Sequence, residues 1–258
     1  MAKAGKARRT SFDDGHGFIR SVKLVRDKVP SGDAYPFSIP ALRALDELEL
    51  HPRVTFLVGE NGSGKSTLIE AIAIAAGFNA EGGSKHLRFE MRPSESELHQ
   101  HLRLSRGARR ERDGFFLRAE SFFNVATAVD GVGVESYGGV SLHAQSHGES
   151  FMALALNRFG GQGLYILDEP EAALSPQRQL SFLSIIAKLV AQRSQLLIAT
   201  HSPILMAYPD ASILQLGRDG VVPTRYEDTE HFQITRDFLS GRERFFKHLF
   251  AANAGEGE

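Results

Sequence analysis

Six short β-rich runs punctuate the chain: Gly17 to Val25, Arg53 to Gly59, Phe115 to Arg118, Leu164 to Asp168, Leu196 to Thr200 and Ile213 to Leu216. Their length and their content of Val, Ile, Leu and Phe predict strands, and the nearly continuous apolar ones predict strands covered on both faces. Helical periodicity follows several of them. Lys65 to Gly77 carries Leu68, Ile69, Ile72, Ala73 and Ala76 and stops at a glycine. Glu149 to Phe159 and Pro176 to Arg193 are amphipathic, the second opening with Ser175 as N-cap and Pro176 in the first helical position. Thr229 to Phe250 reads as a closing helix whose Phe238, Leu239, Phe245, Phe246, Leu249 and Phe250 suit a core or a dimer contact. Strands alternating with helices predict an α/β fold with a mostly parallel sheet flanked by helices.

The stretch 82–113 departs from this pattern. It holds Lys85, Arg88, Arg92, Arg103, Arg106, Arg109, Arg110 and Arg112, with Glu90, Glu95, Glu97, Glu111 and Asp113 as partial counterweights. Few large apolar residues interrupt it, so we expect an arginine-rich helical insertion on a single domain spanning 1–258. Residues 1–15 and 251–258 are expected to be flexible tails. Two readings of the insertion stand: a solvated arm whose arginines pair with the nearby carboxylates, or a surface from Lys85 to Arg112 that binds nucleic-acid backbone together with the basic N-terminus, in which case neutralising Arg106, Arg109 and Arg110 should flatten the salt dependence.

Composition narrows the classes. With 42% hydrophobic and 24% charged residues the 258-residue chain is of ordinary globular type. Absence of cysteine excludes disulfides, thiolate metal sites and cysteine nucleophiles. The net charge of -1 argues against a polybasic binder overall. No apolar segment follows the basic start MAKAGKARRT, and no run approaches the roughly 18 apolar residues of a membrane-crossing helix. A soluble, cytoplasmic protein without direct membrane insertion is expected.

The chemistry concentrates at strand ends. The run Val54 to Gly59 leads into Gly59, Glu60, Asn61, Gly62, Ser63, Gly64, Lys65, Ser66 and Thr67, which matches G-x-x-x-x-G-K-[ST] between a strand and a helix. Gly62 and Gly64 allow backbone N–H groups to turn inward around a phosphate, Lys65 reaches the β- and γ-phosphates, and Ser66 offers a hydroxyl to Mg²⁺. Leu164 to Asp168 ends in two carboxylates: Asp168 is placed to hold Mg²⁺ and Glu169 to orient or deprotonate water. A third strand ends at His201, which can hydrogen-bond a γ-phosphate. The pairs His99/His101 and His143/His147 lack an acidic ligand at metal spacing.

This order of phosphate loop, Asp-Glu pair and strand-end histidine resembles the ABC-type ATPase superfamily. The resemblance covers roughly residues 17–217, and implies a P-loop NTPase fold, ATP with Mg²⁺ as cofactors, and ATP hydrolysis by a head-to-tail homodimer. It also implies a signature loop. Gln145 to Ser150 stands in that place, with Ser146 and Gly148 matching and His147 and Glu149 replacing a glycine and a glutamine. Ser146, Gly148 and Glu149 would then contact ATP held by a second subunit. Ala173 to Pro176 occupies the position of the dimer-contacting D-loop. The strings EPEAALSP and ATHSP look like the soluble AAA-type branch related to SMC, repair and phage-defence ATPases, more than transporter subunits.

Glu120 stands where the family carries its Q-loop glutamine, which makes it a candidate Mg²⁺ or water ligand. Tyr35 and Phe37 are candidates to stack on adenine, or are core and turn residues. About eighty residues separate Lys65 from Ser146 with no sustained heptad, which excludes a long coiled-coil arm. The expected function is an ATP-gated homodimeric switch linked to DNA repair or defence. The alternatives are an ATP-sensing regulator of an effector protein and a transporter ATP-binding subunit.

Overall fold

Buried aliphatic and aromatic runs form the centre of a seven-stranded sheet in the computed structural model, which describes residues 17–29, 31–85, 96–118 and 146–251. Its members are β3 (Val54–Val58), β4 (Gly83–Ser84), β6 (Asp113–Arg118), β7 (Gly163–Asp168), β8 (Gln195–Ala199), β9 (Ser212–Gly217) and β10 (Gly220–Thr224). The order is β10-β9-β3-β8-β7-β6-β4, with β9, β3, β8, β7 and β6 parallel and the two edge strands antiparallel. Every residue of β3, β7 and β8 is buried, as parallel strands with two covered faces require. Registers Arg118↔Asp168 and Asp168↔Ala199 bring the carboxyl ends of β6, β7 and β8 to one edge, where β3 also ends.

Alternate residues of each strand feed opposite cores. One face carries Phe56, Phe115, Tyr165, Leu167 and Ile198 against Phe151 and Leu154 of α3 (His147–Arg158) and Phe182, Ile186 and Leu189 of α4 (Pro176–Ala191). The other carries Leu57, Phe116, Ile166 and Leu197 against α2 (Lys65–Ala76), which follows α1 (Pro40–Arg43). A second, antiparallel sheet covers the far side of α2, in the order β2 (Glu47–Glu49), β1 (Ile19–Leu24), β5 (Leu102–Arg106). Buried between two sheets, α2 is apolar nearly all round.

Gln195 ties the two sheets together. Its Oε1 accepts from Phe18 N at 2.8 Å and Ile19 N at 2.9 Å, and its Nε2 donates to Ile19 O at 2.8 Å and His51 O at 3.0 Å. The side chain is 2% exposed, and both hydrogens and two acceptor sites of the amide are used.

The expectation of a helical insertion over 82–113 is corrected. Its described residues hold β4, a 3-10 turn at Glu97–His101, β5 and the start of β6. The chain alternates here: Leu102 and Leu104 pack inward on the α2 core while Arg103 and Ser105 face out. That is a strand period, which the number of arginines obscures. Leu98 lies fully buried against α2, so the segment is part of the core.

After α5 (Pro203–Met206), the closing helix α6 spans Glu230–Ala251 with a break at Gly241. The last part of α6 does not enter either core, for Leu239, Leu249 and Phe250 are more than half exposed. No helix among the described residues is long and apolar enough to cross a membrane. Glu120, His143, Gln145, Arg88, Arg92, Glu90, Glu95 and both expected tails up to residue 16 and from 252 lie outside the described residues.

Candidate active site

The loop Gly59 to Gly64 joins β3 to α2 with three glycines in left-handed backbone, at φ 146° for Gly59, 78° for Gly62 and 96° for Gly64. At Gly59 a side chain is also barred by space, because a Cβ would lie 2.5 Å from Leu216 O of β9. Lys65 is buried at the first turn of α2 and donates to Gly59 O at 2.9 Å and Glu60 O at 3.0 Å. An ammonium has three hydrogens, so one remains for an anion in the cradle. Burial lowers the Lys65 pKa, against the opposing pull of Glu169, Asp168 and Glu171. Ser63 Oγ is buried in the same loop with no hydrogen-bond partner.

Ser66 Oγ donates to Asp168 Oδ1 at 3.2 Å, which joins the helix start to the end of β7. Two residues escaped the sequence reading here. Arg118 at the end of β6 has Nε 3.8 Å from Asp168 Oδ2, and its Nη1 donates to Glu70 Oε2 of α2 at 2.6 Å.

Glu169 adopts left-handed backbone at φ 51°, held by its N–H to Ala199 O at 2.9 Å. This turn sends its carboxylate, 40% exposed, away from Asp168's position in the strand and towards His201, with Oε1 3.4 Å from His201 Nε2. Glu171, which the sequence reading passed over, accepts from His201 N at 2.5 Å, and its other oxygen is buried without a hydrogen bond. Burial raises the Glu171 pKa, partly countered by that hydrogen bond.

His201 has a second unforeseen neighbour. His231 of α6 places Nε2 2.8 Å from His201 Nδ1, the rings meeting edge to face at 4.8 Å. Burial, then Lys65, then His231, push the His201 pKa down; Glu169 opposes them. His231 is lowered by burial and Lys65, with Glu230 and Glu60 opposing. Only chain distance hid this contact, since His231 lies in a polar helix start with no motif around it.

Ser146 caps α3 in a reciprocal box: its Oγ accepts from Glu149 N at 3.4 Å and Glu149 Oε2 accepts from Ser146 N at 3.0 Å. Arg178 of α4 bonds both side chains. The Glu149 pKa falls because Ser146 donates to its carboxylate, with Arg178 adding to the effect. Gly148 packs so closely on Ala173 O, 2.8 Å from where a Cβ would stand, that the signature-like and D-loop-like segments share one contact. A carboxylate has no hydrogen to give a phosphate, so Glu149 serves this helix start as a cap. Tyr35 OH lies 3.3 Å from Thr67 Oγ1 and the ring is exposed, whereas Phe37 is buried edge-on to His101 and belongs to the core.

Parallel sheet, glycine loop at a helix start and acidic strand end define a P-loop NTPase domain. The family described as "AAA domain, putative AbiEii toxin, Type IV TA system" matches residues 110–207, and a second family described as "AAA domain" matches residues 39–113. The chain is thus similar to AAA-type domains over two adjoining stretches, each shorter than half of its length. No curated protein matches the chain. Among solved structures it is similar to an SMC head domain from Thermotoga maritima, at 16% identity and TM-score 0.45, covering 81% of this chain and 99% of that one. It is also similar to cbiO1 from Clostridium perfringens, described as part of the ABC transporter complex cbiONQ, at 17% identity and TM-score 0.48, covering 91% and 99%.

Proposed function

We propose that the chain is a Mg²⁺-dependent ATPase that works as an ATP-gated, head-to-tail homodimeric switch. The observation that carries this reading is the convergence at one sheet edge of the Lys65 loop, the Ser66–Asp168 pair, Glu169 and His201. Ser66 and Asp168 fit a hard divalent cation, being two oxygen donors 3.2 Å apart. When bound, Mg²⁺ supplies charge neutralisation to phosphate oxygens. Lys65 and the loop N–H groups bind the phosphates, Glu169 accepts the proton of the attacking water, and His201 Nε2, buried and without an aligned hydrogen bond, donates to the γ-phosphate. Ser146 and Gly148 complete the site of the opposite subunit.

Complementation tests the head-to-tail arrangement. Lys65→Ala and Ser146→Arg should each abolish hydrolysis alone, because one disables every phosphate loop and the other every signature. Mixed in equal amounts they should recover about a quarter of the wild-type rate, from one intact composite site in half of the dimers. A mixture as inactive as its components argues against shared sites.

The link to nucleic acid has its own observation. Arg109, Arg110, Arg112 and Arg193 line a cavity of about 400 Å³ with Phe18 and Gln162, and Arg112, Gln162 and Arg193 continue into a neighbouring cavity of about 430 Å³. These four arginines have no ion-pair partner among the described residues, whereas Glu111 takes Lys85 and Arg106, and Asp113 takes Arg158. Arg106 therefore leaves the group in which the sequence reading placed it. Arg112, Gln162 and Arg193 precede β6, β7 and β8, so the cavity lies at the sheet edge opposite the ATP site. Arg112 N donates to Gln162 O and Gln162 N to Gln192 O, both at 2.9 Å, which fixes the platform. Exposed guanidiniums spread over two cavities suit a phosphodiester backbone better than a single small anion.

Binding of a labelled duplex should weaken steeply with salt. Arg109→Ala/Arg110→Ala/Arg193→Ala should reduce the slope of log K against log[salt] by roughly 2 to 3. Equal slopes for this variant and the wild type rule out the cavity as the phosphate contact.

A further inference from the structure

We propose that His231 is a positioning residue that fixes the tautomer of His201, so that the Nε2 proton of His201 faces Glu169 and the γ-phosphate. The inference rests on the reading of His201 as the γ-phosphate donor and extends it to a second element, α6.

The argument is one of donors and acceptors. A neutral imidazole carries one N–H and one lone pair, and the bond made by one nitrogen decides where the other keeps its proton. His201 Nδ1 and His231 Nε2 are 2.8 Å apart, so one of them donates. Were His201 the donor, its Nε2 would present a lone pair to Glu169 Oε1 at 3.4 Å, two acceptors facing each other, and would offer nothing to a phosphate. With His231 as donor, His201 Nδ1 accepts, and the proton stands on Nε2, facing the carboxylate. Burial and the nearby Lys65 lower the pKa of both rings and so favour their neutral forms, between whose tautomers the hydrogen bond chooses.

The support is built into the fold. Glu171 holds the His201 backbone N–H, leaving the ring free to be set by its neighbours. His231 sits in the first turn of α6, where Thr229 is fully buried and donates to Tyr226 O at 2.7 Å, and Tyr226 packs on Phe232 at 4.5 Å. Turnover thereby depends on the seating of the α6 start.

The test compares His231→Ala, His231→Gln and His231→Glu in the full chain. Glutamine places an amide N–H near the position of the histidine Nε2–H, so His231→Gln should keep kcat within about twofold. Loss of one ordinary hydrogen bond in His231→Ala should lower kcat about fivefold to tenfold with KM little changed. His231→Glu, an acceptor that draws the proton to Nδ1, should fall at least as far. Histidine side-chain ¹⁵N NMR should show His201 as the Nε2–H form in wild type and in His231→Gln, and a mixture in His231→Ala.

Wild-type kcat in His231→Ala overturns the proposal, as does equal loss in His231→Ala and His231→Gln at unchanged melting temperature. An Nδ1–H form of His201 in the wild type overturns it as well. A wild-type protein without ATPase activity defeats the functional reading instead, while the NMR signature still decides the tautomer.

Discussion

Glu169→Gln should lower kcat for ATP by about 10²–10⁴-fold and leave nucleotide binding intact. Glutamine has the shape of glutamate but cannot accept the proton of an attacking water. The backbone that aims this side chain is held independently of its charge, through the Glu169 N–H to Ala199 O at 2.9 Å. The substitution therefore removes a proton acceptor and little else. If hydrolysis is what opens the dimer, the same variant should accumulate as an ATP-bound dimer. Phosphate release gives the rate, and light scattering with ATP and Mg²⁺ gives the mass. Turnover at the wild-type rate would move the base elsewhere, with Glu171 the nearest other carboxylate to His201. Its Oε1 already accepts from His201 N and its other oxygen is buried, so it is the worse placed of the two to reach a water.

The parts of this site that could be read from the sequence are those whose physics is local. A phosphate loop needs its glycines, lysine and hydroxyl within one strand–loop–helix turn, and Gly59 to Thr67 carries all of them in a row. Asp168, Glu169 and His201 end apolar runs, and parallel pairing brings strand ends to one edge without further information. Contacts set by packing were beyond reach. His231 meets His201 across thirty residues of chain, and Arg118 meets Glu70 across forty-eight. In β5 the alternation of Leu102, Arg103, Leu104 and Ser105 was present, but a run judged by its arginines looked like a solvated arm. Gln195 stands as a polar residue just ahead of an apolar run, and its partners are backbone groups that composition does not reveal.

Gln195→Leu should be the most damaging substitution outside the active site, at about 4 kcal/mol of unfolding free energy. Leucine approximates the volume of glutamine and suits a buried strand position, so packing alone predicts a small effect. The hydrogen bonds decide otherwise. The side chain serves Phe18 N, Ile19 N, Ile19 O and His51 O, and it is 2% exposed, so water cannot take over its role. Each buried backbone group left without a partner costs about 1–3 kcal/mol, and the extra apolar burial of leucine offsets only part of the sum. A loss of this size is a large share of the roughly 5–15 kcal/mol that holds a domain together. Urea unfolding should show a lower midpoint with an unchanged slope. A shift under about 1 kcal/mol would mean that β1 reaches other partners, and that the amide is not what joins the sheets. The consequence extends to the ATP site. Helix α2 is clamped between β1 and the main sheet, and Lys65 stands in its first turn. Loosening the clamp should therefore raise KM for ATP in the surviving folded fraction, although Gln195 lies at the opposite end of β8 from His201.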